Sequence, residues 1–294
     1  MPLPNVPPNL SREEKRQLTK ELGLEAFHRF LKFALKSEHL HYGRFEPDIP
    51  AEFANFGKAQ DRYLQRLVEI IPAGVKTVLD VGCGSGKTVE HLIEKGYAVD
   101  CVSPGTVLTA IVAERLAGRA QIYRGKFEDV AIPAHYDLVL FSESLQYVPL
   151  PLALQKSISL LNPGGHILVS DFFHRDLAGD TPIRGGHSYA RWRETYSVFP
   201  LEILVEQDIT AETAPLYDIA TAFTQGVVKP TWDTGFMAAS MRWPILTKIG
   251  RWVLRKQIEK MEKYRLSSSR NAAEFRRAKI YKVYLFRLRG APAR

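Results

Sequence analysis

Cysteine is nearly absent from the 294 residues: only Cys83 and Cys101 occur, both inside apolar segments. Two thiols build neither a disulfide framework nor a zinc cluster, and they fit a reducing compartment. No metal constellation is expected, since His39 and His41 stand two apart without a third ligand and the other histidines are scattered. No run approaches the roughly 20 apolar residues that a membrane-spanning helix needs. The N-terminus lacks a basic-then-apolar start, which argues against a signal peptide. Its tip, MPLPNVPPNL, is proline-rich and reads as extended chain. The expectation is a cytoplasmic protein, soluble or peripheral to a membrane.

Acidic residues are scarce towards the end of the chain. From Arg242 to Arg294 there are 16 Lys and Arg against 3 Glu, although the whole chain carries only +8. The first 241 residues are therefore acidic on balance. A basic tail on an acidic body suits an anionic partner, or a strongly solvated helix face. Otherwise 45% hydrophobic and 24% charged residues describe an ordinary globular protein.

The first 75 residues read as a helical cap. Ser11 followed by Glu14 has the spacing of a capping box. Leu18, Leu22, Phe27, Phe30, Leu31 and Leu35 then recur at roughly helical spacing, and a second amphipathic stretch runs from Phe53 to Ile71. From Lys76 short apolar strands alternate with helical segments: strands at 77–81, 97–102, 121–124, 137–142 and 166–171, helices near 86–95, 106–117 and 151–161. That alternation predicts an α/β fold with a parallel sheet and helices on both faces. Residues 76–210 form the expected core, with a further strand at 201–209. Residues 211–277 read as a helical lid insertion, and 278–294 as a last strand (279–288) with the basic tail.

The most informative segment is Thr77 to Gly86, TVLDVGCGSG. A buried strand enters a loop carrying Gly82, Gly84 and Gly86, and a helix follows. Glycine permits positive φ and lets a ligand lie against main chain, while the helix N-terminus offers unpaired N–H groups. Asp80 stands just before the loop, where a carboxylate reaches a cationic group directly or through water. A bare tight strand-to-helix junction is the plainest reading. A phosphate-binding P-loop needs glycine where Val81 stands, and a dinucleotide site needs it where Lys87 stands, so both fail on spacing.

VLDVGCGSG resembles the first motif of class I S-adenosylmethionine-dependent methyltransferases at nearly every position. Other landmarks agree: Gly96 before the second strand, YDLV from Tyr136 opening the fourth, and NPGG from Asn162 ahead of the fifth. The likeness covers residues 76–171 well and 200–290 in outline. It implies a Rossmann-like, seven-stranded, mostly parallel sheet with S-adenosyl-L-methionine as cofactor. Gly82, Cys83 and Gly84 then lie along its methionine part. The acidic residue that grips the ribose in that family is replaced by Ser103, and a neutral hydrogen bond contributes ~1 kcal/mol against ~2 for a charged one. Asp100 could compensate, although strand alternation aims it elsewhere. The adenine loop is similar to GKFED from Gly125, with Lys126 in place of the usual aspartate; the Phe127 backbone and Glu128 are the candidates there, against a merely solvated Glu128.

LHYGRF, from Leu40 to Phe45, resembles an element ahead of the first motif in small-molecule, sterol, tocopherol and phospholipid methyltransferases. It would bring the Tyr42 ring over the cofactor; the plainer reading is a helix-ending turn. After the fourth strand, FSESLQY faces the methyl group in that family, through Phe141 and Ser142 backbone and polar groups beyond, with Gln146 and Tyr147 as acceptor contacts. His174, just past the fifth strand, is a candidate general base because its ordinary pKa near 6.5 suits an oxygen acceptor; a plain surface histidine is the alternative. The lid interleaves Met237, Met241, Trp243, Leu246, Trp252 and Val253 with Lys248, Arg251, Arg255, Lys256 and Lys260. One apolar and one basic face suit an anionic membrane surface or an amphiphilic substrate, and the plainer reading is a helix packed on the domain with a solvated basic face. The expected activity is methyl transfer to a small organic or lipid-like molecule, with oxygen, nitrogen and carbon acceptors open. Nucleic acid is disfavoured, because SESL stands where an NPPY-like loop would. A cofactor-binding protein of the same fold without turnover is the other alternative.

Overall fold

The computed structural model describes residues 11–176, 180–264 and 266–289. The proline-rich tip, the Glu14 side chain of the expected capping box and the last five residues of the basic tail lie outside the described residues. Seven strands form one sheet: β1 (Thr77–Val81), β2 (Ala98–Ser103), β3 (Ile122–Arg124), β4 (Tyr136–Ser142), β5 (Leu161–His174), β6 (Leu201–Asp208) and β7 (Lys279–Leu288), in the order β3-β2-β1-β4-β5-β7-β6. β1 to β5 are parallel, and only β7 runs against its neighbours β5 and β6.

β1 is buried from Val78 to Val81 because both its faces are covered, with Asp80 as the one charged residue in an otherwise apolar run. Val78 faces Val89 and Leu92 of α3 (Lys87–Glu94), Val112 and Leu116 of α4 (Thr106–Leu116), and Tyr63 and Leu67 of α2 (Phe56–Glu69). Leu79 and Val81 belong to the opposite layer, with Leu150 and Leu154 of α5 (Leu150–Leu160) and Trp192 of α6 (Tyr189–Ser197). Strand order reverses at β1, between β2 and β4, and the crevice beyond the carboxyl ends of such strands is where ligands sit in open α/β sheets.

Two local features differ from the sequence expectation. β5 continues three residues past Asp171, because β7 pairs with it as far as His174 opposite Lys279. α6 occupies a stretch that reads as merely polar: it buries Trp192 alone, stacked on Phe173 at 5.5 Å, and one buried residue leaves no 3.6-residue period. The expected N-terminal helix is α1 (Arg12–Leu35). Between β6 and β7 lie α7 (Thr210–Thr213), α8 (Pro215–Phe223), α9 (Lys229–Arg242), α10 (Pro244–Val253), α11 (Arg255–Tyr264) and α12 (Ala272–Ala278). No helix among the described residues is long and apolar enough to cross a membrane.

Candidate functional site

The loop after β1 takes the conformation that its glycines permit. Gly82, Gly84 and Gly86 all have positive φ, at 80°, 55° and 78°. A Cβ on Gly82 would stand 2.6 Å from the Ser144 Cβ, so the loop and the segment after β4 approach as backbone against side chain with no room between them. The Gly82 and Cys83 N–H groups both donate to the Val102 carbonyl, which holds the loop over the end of β2. The Cys83 thiol turns into the core beside Cys101, leaving its backbone as the part that borders the crevice.

Asp80 lies at the foot of this loop. It is buried, it has no hydrogen bond or ion pair among the described residues, and burial raises its pKa to about 7. A buried carboxylate without a partner is costly, and a cation removes that cost. The residues thus fit a ligand with a cationic group near the loop, as a methionine-type α-ammonium is.

Residues 38–42 form a strap across the loop. The Ser85 hydroxyl donates to the Glu38 carbonyl at 2.5 Å. Arg115 of α4 donates to the Ser85 carbonyl at 2.9 Å and pairs with Glu38 and Glu90. His39 and His41 hold each other at 3.1 Å, while Gln60 donates to the His41 carbonyl at 2.6 Å. Burial keeps His41 well below its ordinary pKa, hence neutral. The two histidines are therefore mortar for the strap, and no group of three metal-binding side chains exists among the described residues.

Tyr42 ends the strap. Its N–H donates to Glu143 Oε1 at 2.7 Å, its hydroxyl meets that of Tyr217 at 2.8 Å, and its ring stacks on Phe172 at 5.6 Å. Glu143, which sequence reasoning did not select, is the hub. It is a non-glycine residue with φ of 58°, immediately beyond β4, and the Tyr281 hydroxyl also donates to its Oε1 at 2.8 Å. Burial outweighs these hydrogen bonds, with Asp171 nearby adding repulsion, and raises its pKa to about 8. A strained, half-buried carboxyl held against its ordinary protonation is the kind of group that marks a functional position. The left-handed φ is invisible in the string SESL.

The other expected residues divide. Ser142 is half-buried with its hydroxyl 3.1 Å from Tyr63 Oη, and Gln146 donates through its N–H to Asp171 at 3.0 Å. Asp171 is itself buried and raised to about 7 by burial. Tyr147 is 67% exposed. Phe127 packs edge-on against Phe141 at 5.5 Å, so only its backbone borders the β3 loop, beside a half-buried Glu128. Ser103 is buried and its hydroxyl accepts from Thr109 at 2.8 Å. Asp100 does not stand in for the missing acid: its carboxylate accepts from the Gln121 N–H and the Tyr136 hydroxyl. Instead Glu21 of α1 arrives at the end of β2, accepting from the Thr106 N–H at 2.9 Å and lying within contact distance of Gly105. A residue 82 positions before Ser103 in sequence carries no local signal. His174 lies farther along β5, 3.6 Å from Asp176 and in a separate pocket with Lys279.

Comparison with known proteins agrees with this geometry. A tocopherol O-methyltransferase of Arabidopsis thaliana is 26% identical over 163 residues, 48% of this chain and 45% of that protein. Matches to the first curated relatives span from 45% to 64% of their lengths. Among solved structures, the [4+2]-cyclase SpnF superposes with a TM-score of 0.65 at 16% identity, covering 97% of this chain and 99% of that one. Geranyl diphosphate C-methyltransferase from Streptomyces coelicolor A3(2) superposes at 0.62 and 14% identity, covering 90% and 97%. At such identities these likenesses speak for the fold. The model of the methyltransferase domain family matches residues 53–207, from α2 to β6. With more than half of its length inside that match, the chain belongs to the methyltransferase domain family.

Proposed function

We propose that this chain transfers a methyl group from S-adenosyl-L-methionine to a nucleophilic atom, an oxygen by preference, of a small lipid-like acceptor. The observation that carries the reading is Asp80, a buried and unpaired carboxylate beneath a glycine-lined bend. Asp80, the backbone of Gly82, Cys83 and Gly84, and the α3 N-terminus after Gly86 hold the methionine end. Ser103 and Glu21 border the ribose end, and the Phe127 backbone with Glu128 the adenine. The cofactor brings the electrophilic methyl; the protein supplies alignment, dryness and proton removal.

Tyr42 closes the strap over this region. Ser142, Gln146 and Tyr147 line the acceptor side, and Glu143 is better placed than His174 to take a proton from an acceptor hydroxyl. Relatives named tocopherol O-methyltransferase and ubiquinone biosynthesis O-methyltransferase favour a phenolic, isoprenoid-like acceptor. Because the fold also carries a cyclase, binding alone does not establish transfer. The deciding experiment incubates the protein with methyl-labelled S-adenosylmethionine and a panel of prenylated phenols. Label in an acceptor, reduced at least about tenfold in Glu143→Gln, is expected. Cofactor binding without any transferred label across the panel overturns the reading.

The lid suits such acceptors. Trp252, Met241 and Ile245 are 78%, 74% and 71% exposed on α9 and α10, and Arg251, Arg255, Lys256 and Lys260 interleave with them. We infer that this face rests on an anionic bilayer surface, where lipid-like acceptors reside.

A further inference from the structure

A second cavity, of about 300 Å³, opens at the carboxyl edge of the sheet beyond Phe172. Its walls carry His174, Arg175, Arg184, Arg277 and Lys279, with Asp180 as the only carboxylate among the described lining residues. Two of these charges are already spent: Arg277 is held by Glu274 at 2.7 Å, and Asp180 by Lys263 at 2.6 Å. His174 leans on Asp176 at 3.6 Å. Lys279, Arg175 and Arg184 have no carboxylate within ion-pair distance among the described residues.

Lys279 is the unusual member. It opens β7, is 2% exposed, and among the described residues its ammonium finds only the Gly185 carbonyl and the face of the Phe172 ring at 5.6 Å. A buried ammonium with one backbone acceptor retains two unused donors. Burial accordingly lowers its pKa to about 8. Arg175 donates its Nε to the Lys279 carbonyl, which fixes one guanidinium at the pocket wall. Arg184 Cζ stands over the Tyr264 ring, 3.9 Å from its centroid, so the guanidinium is held in place before any ligand arrives.

The pocket adjoins the acceptor side. Phe172 also stacks on Tyr42, and a Cβ on Gly185 would come within 3.1 Å of Gln146 Oε1. We propose that Lys279, Arg175 and Arg184 form an oxyanion subsite that takes the phosphate or carboxylate head of the methyl acceptor, and so select amphiphiles with an acidic end. The proposal rests on the methyl-transfer reading for its acceptor, but the site itself stands on charge and burial.

Octyl phosphate and inorganic phosphate are the probes, titrated calorimetrically into the full chain, with adenosylhomocysteine binding measured on the same samples. Octyl phosphate is expected to bind at least tenfold more tightly than inorganic phosphate. Its affinity should fall at least tenfold in Lys279→Met and in the exposed Arg184→Gln. Arg184→Gln carries the test if Lys279→Met does not fold. Adenosylhomocysteine affinity should hold in both folded variants. Absence of octyl phosphate binding overturns the subsite, as does binding unaltered in Arg184→Gln. Equal affinity for the two phosphates overturns its assignment to an acceptor head. Loss of adenosylhomocysteine binding in the wild type, with octyl phosphate still bound, removes the methyl-transfer reading and leaves the anion site.

Discussion

Glu143 shows how one side chain combines stability with chemistry. Its folded pKa near 8 lies above the ordinary 4.5, so the folded chain binds the proton more tightly than the unfolded one. The resulting stabilisation is complete below pH 4.5 and is lost as pH rises through 8. Glu143→Gln keeps an acceptor oxygen for the Tyr42 N–H and the Tyr281 hydroxyl but cannot ionise. Thermal melts from pH 5 to 8 should show the wild type losing stability on the order of a few kcal/mol more than this variant. Part of the loss should persist in Glu143→Gln, because Asp80 and Asp171 are raised in the same direction. Parallel pH profiles for the two proteins would mean that Glu143 ionises freely.

Among elements, the β1–α3 loop is the least forgiving. Gly82→Ala must place a Cβ at a φ of 80° and 2.6 Å from Ser144. Left-handed strain costs ~1–2 kcal/mol and overpacking ~1–3 kcal/mol. A fall in melting temperature of roughly 5 °C or more is expected, with loss of adenosylhomocysteine binding; a variant that melts and binds like the wild type would show that the loop is loose. This loop and all seven strands were legible in the sequence; for the buried parallel strands the signal is their largely apolar run, and glycine at a strand end has few other uses. What escaped was non-local. Glu21 reaches Thr106 across 85 positions, the Glu143 carboxylate finds its donors on Tyr42 and Tyr281, and Lys279 meets Gly185 and Phe172 only in the folded chain. The sequence excluded a metal role for His39 and His41 but could not give their partners, Asp61 on the His39 ring and Gln60 on the His41 carbonyl.

For the whole molecule, charge and apolar surface concentrate on the same lid, which lies outside the residues matched by the family model. Trp252→Ser with Arg255→Glu should abolish co-sedimentation with phosphatidylserine vesicles at low salt while leaving the melting temperature within about 1 °C, since both side chains are exposed. Wild-type protein that stays in the supernatant at low salt would remove the membrane contact. The central group is Asp80, buried beneath the glycine bend and unpaired among the described residues. Calorimetry of adenosylhomocysteine binding at pH 7, repeated in buffers of different ionisation enthalpy, interrogates it directly. Binding should release a fraction of a proton, because a carboxyl with a pKa near 7 ionises when an ammonium approaches. Asp80→Asn should weaken binding about tenfold or more and abolish that release. Tight binding of ATP or a dinucleotide in place of adenosylhomocysteine, or adenosylhomocysteine binding with no proton released by the wild type, would contradict it.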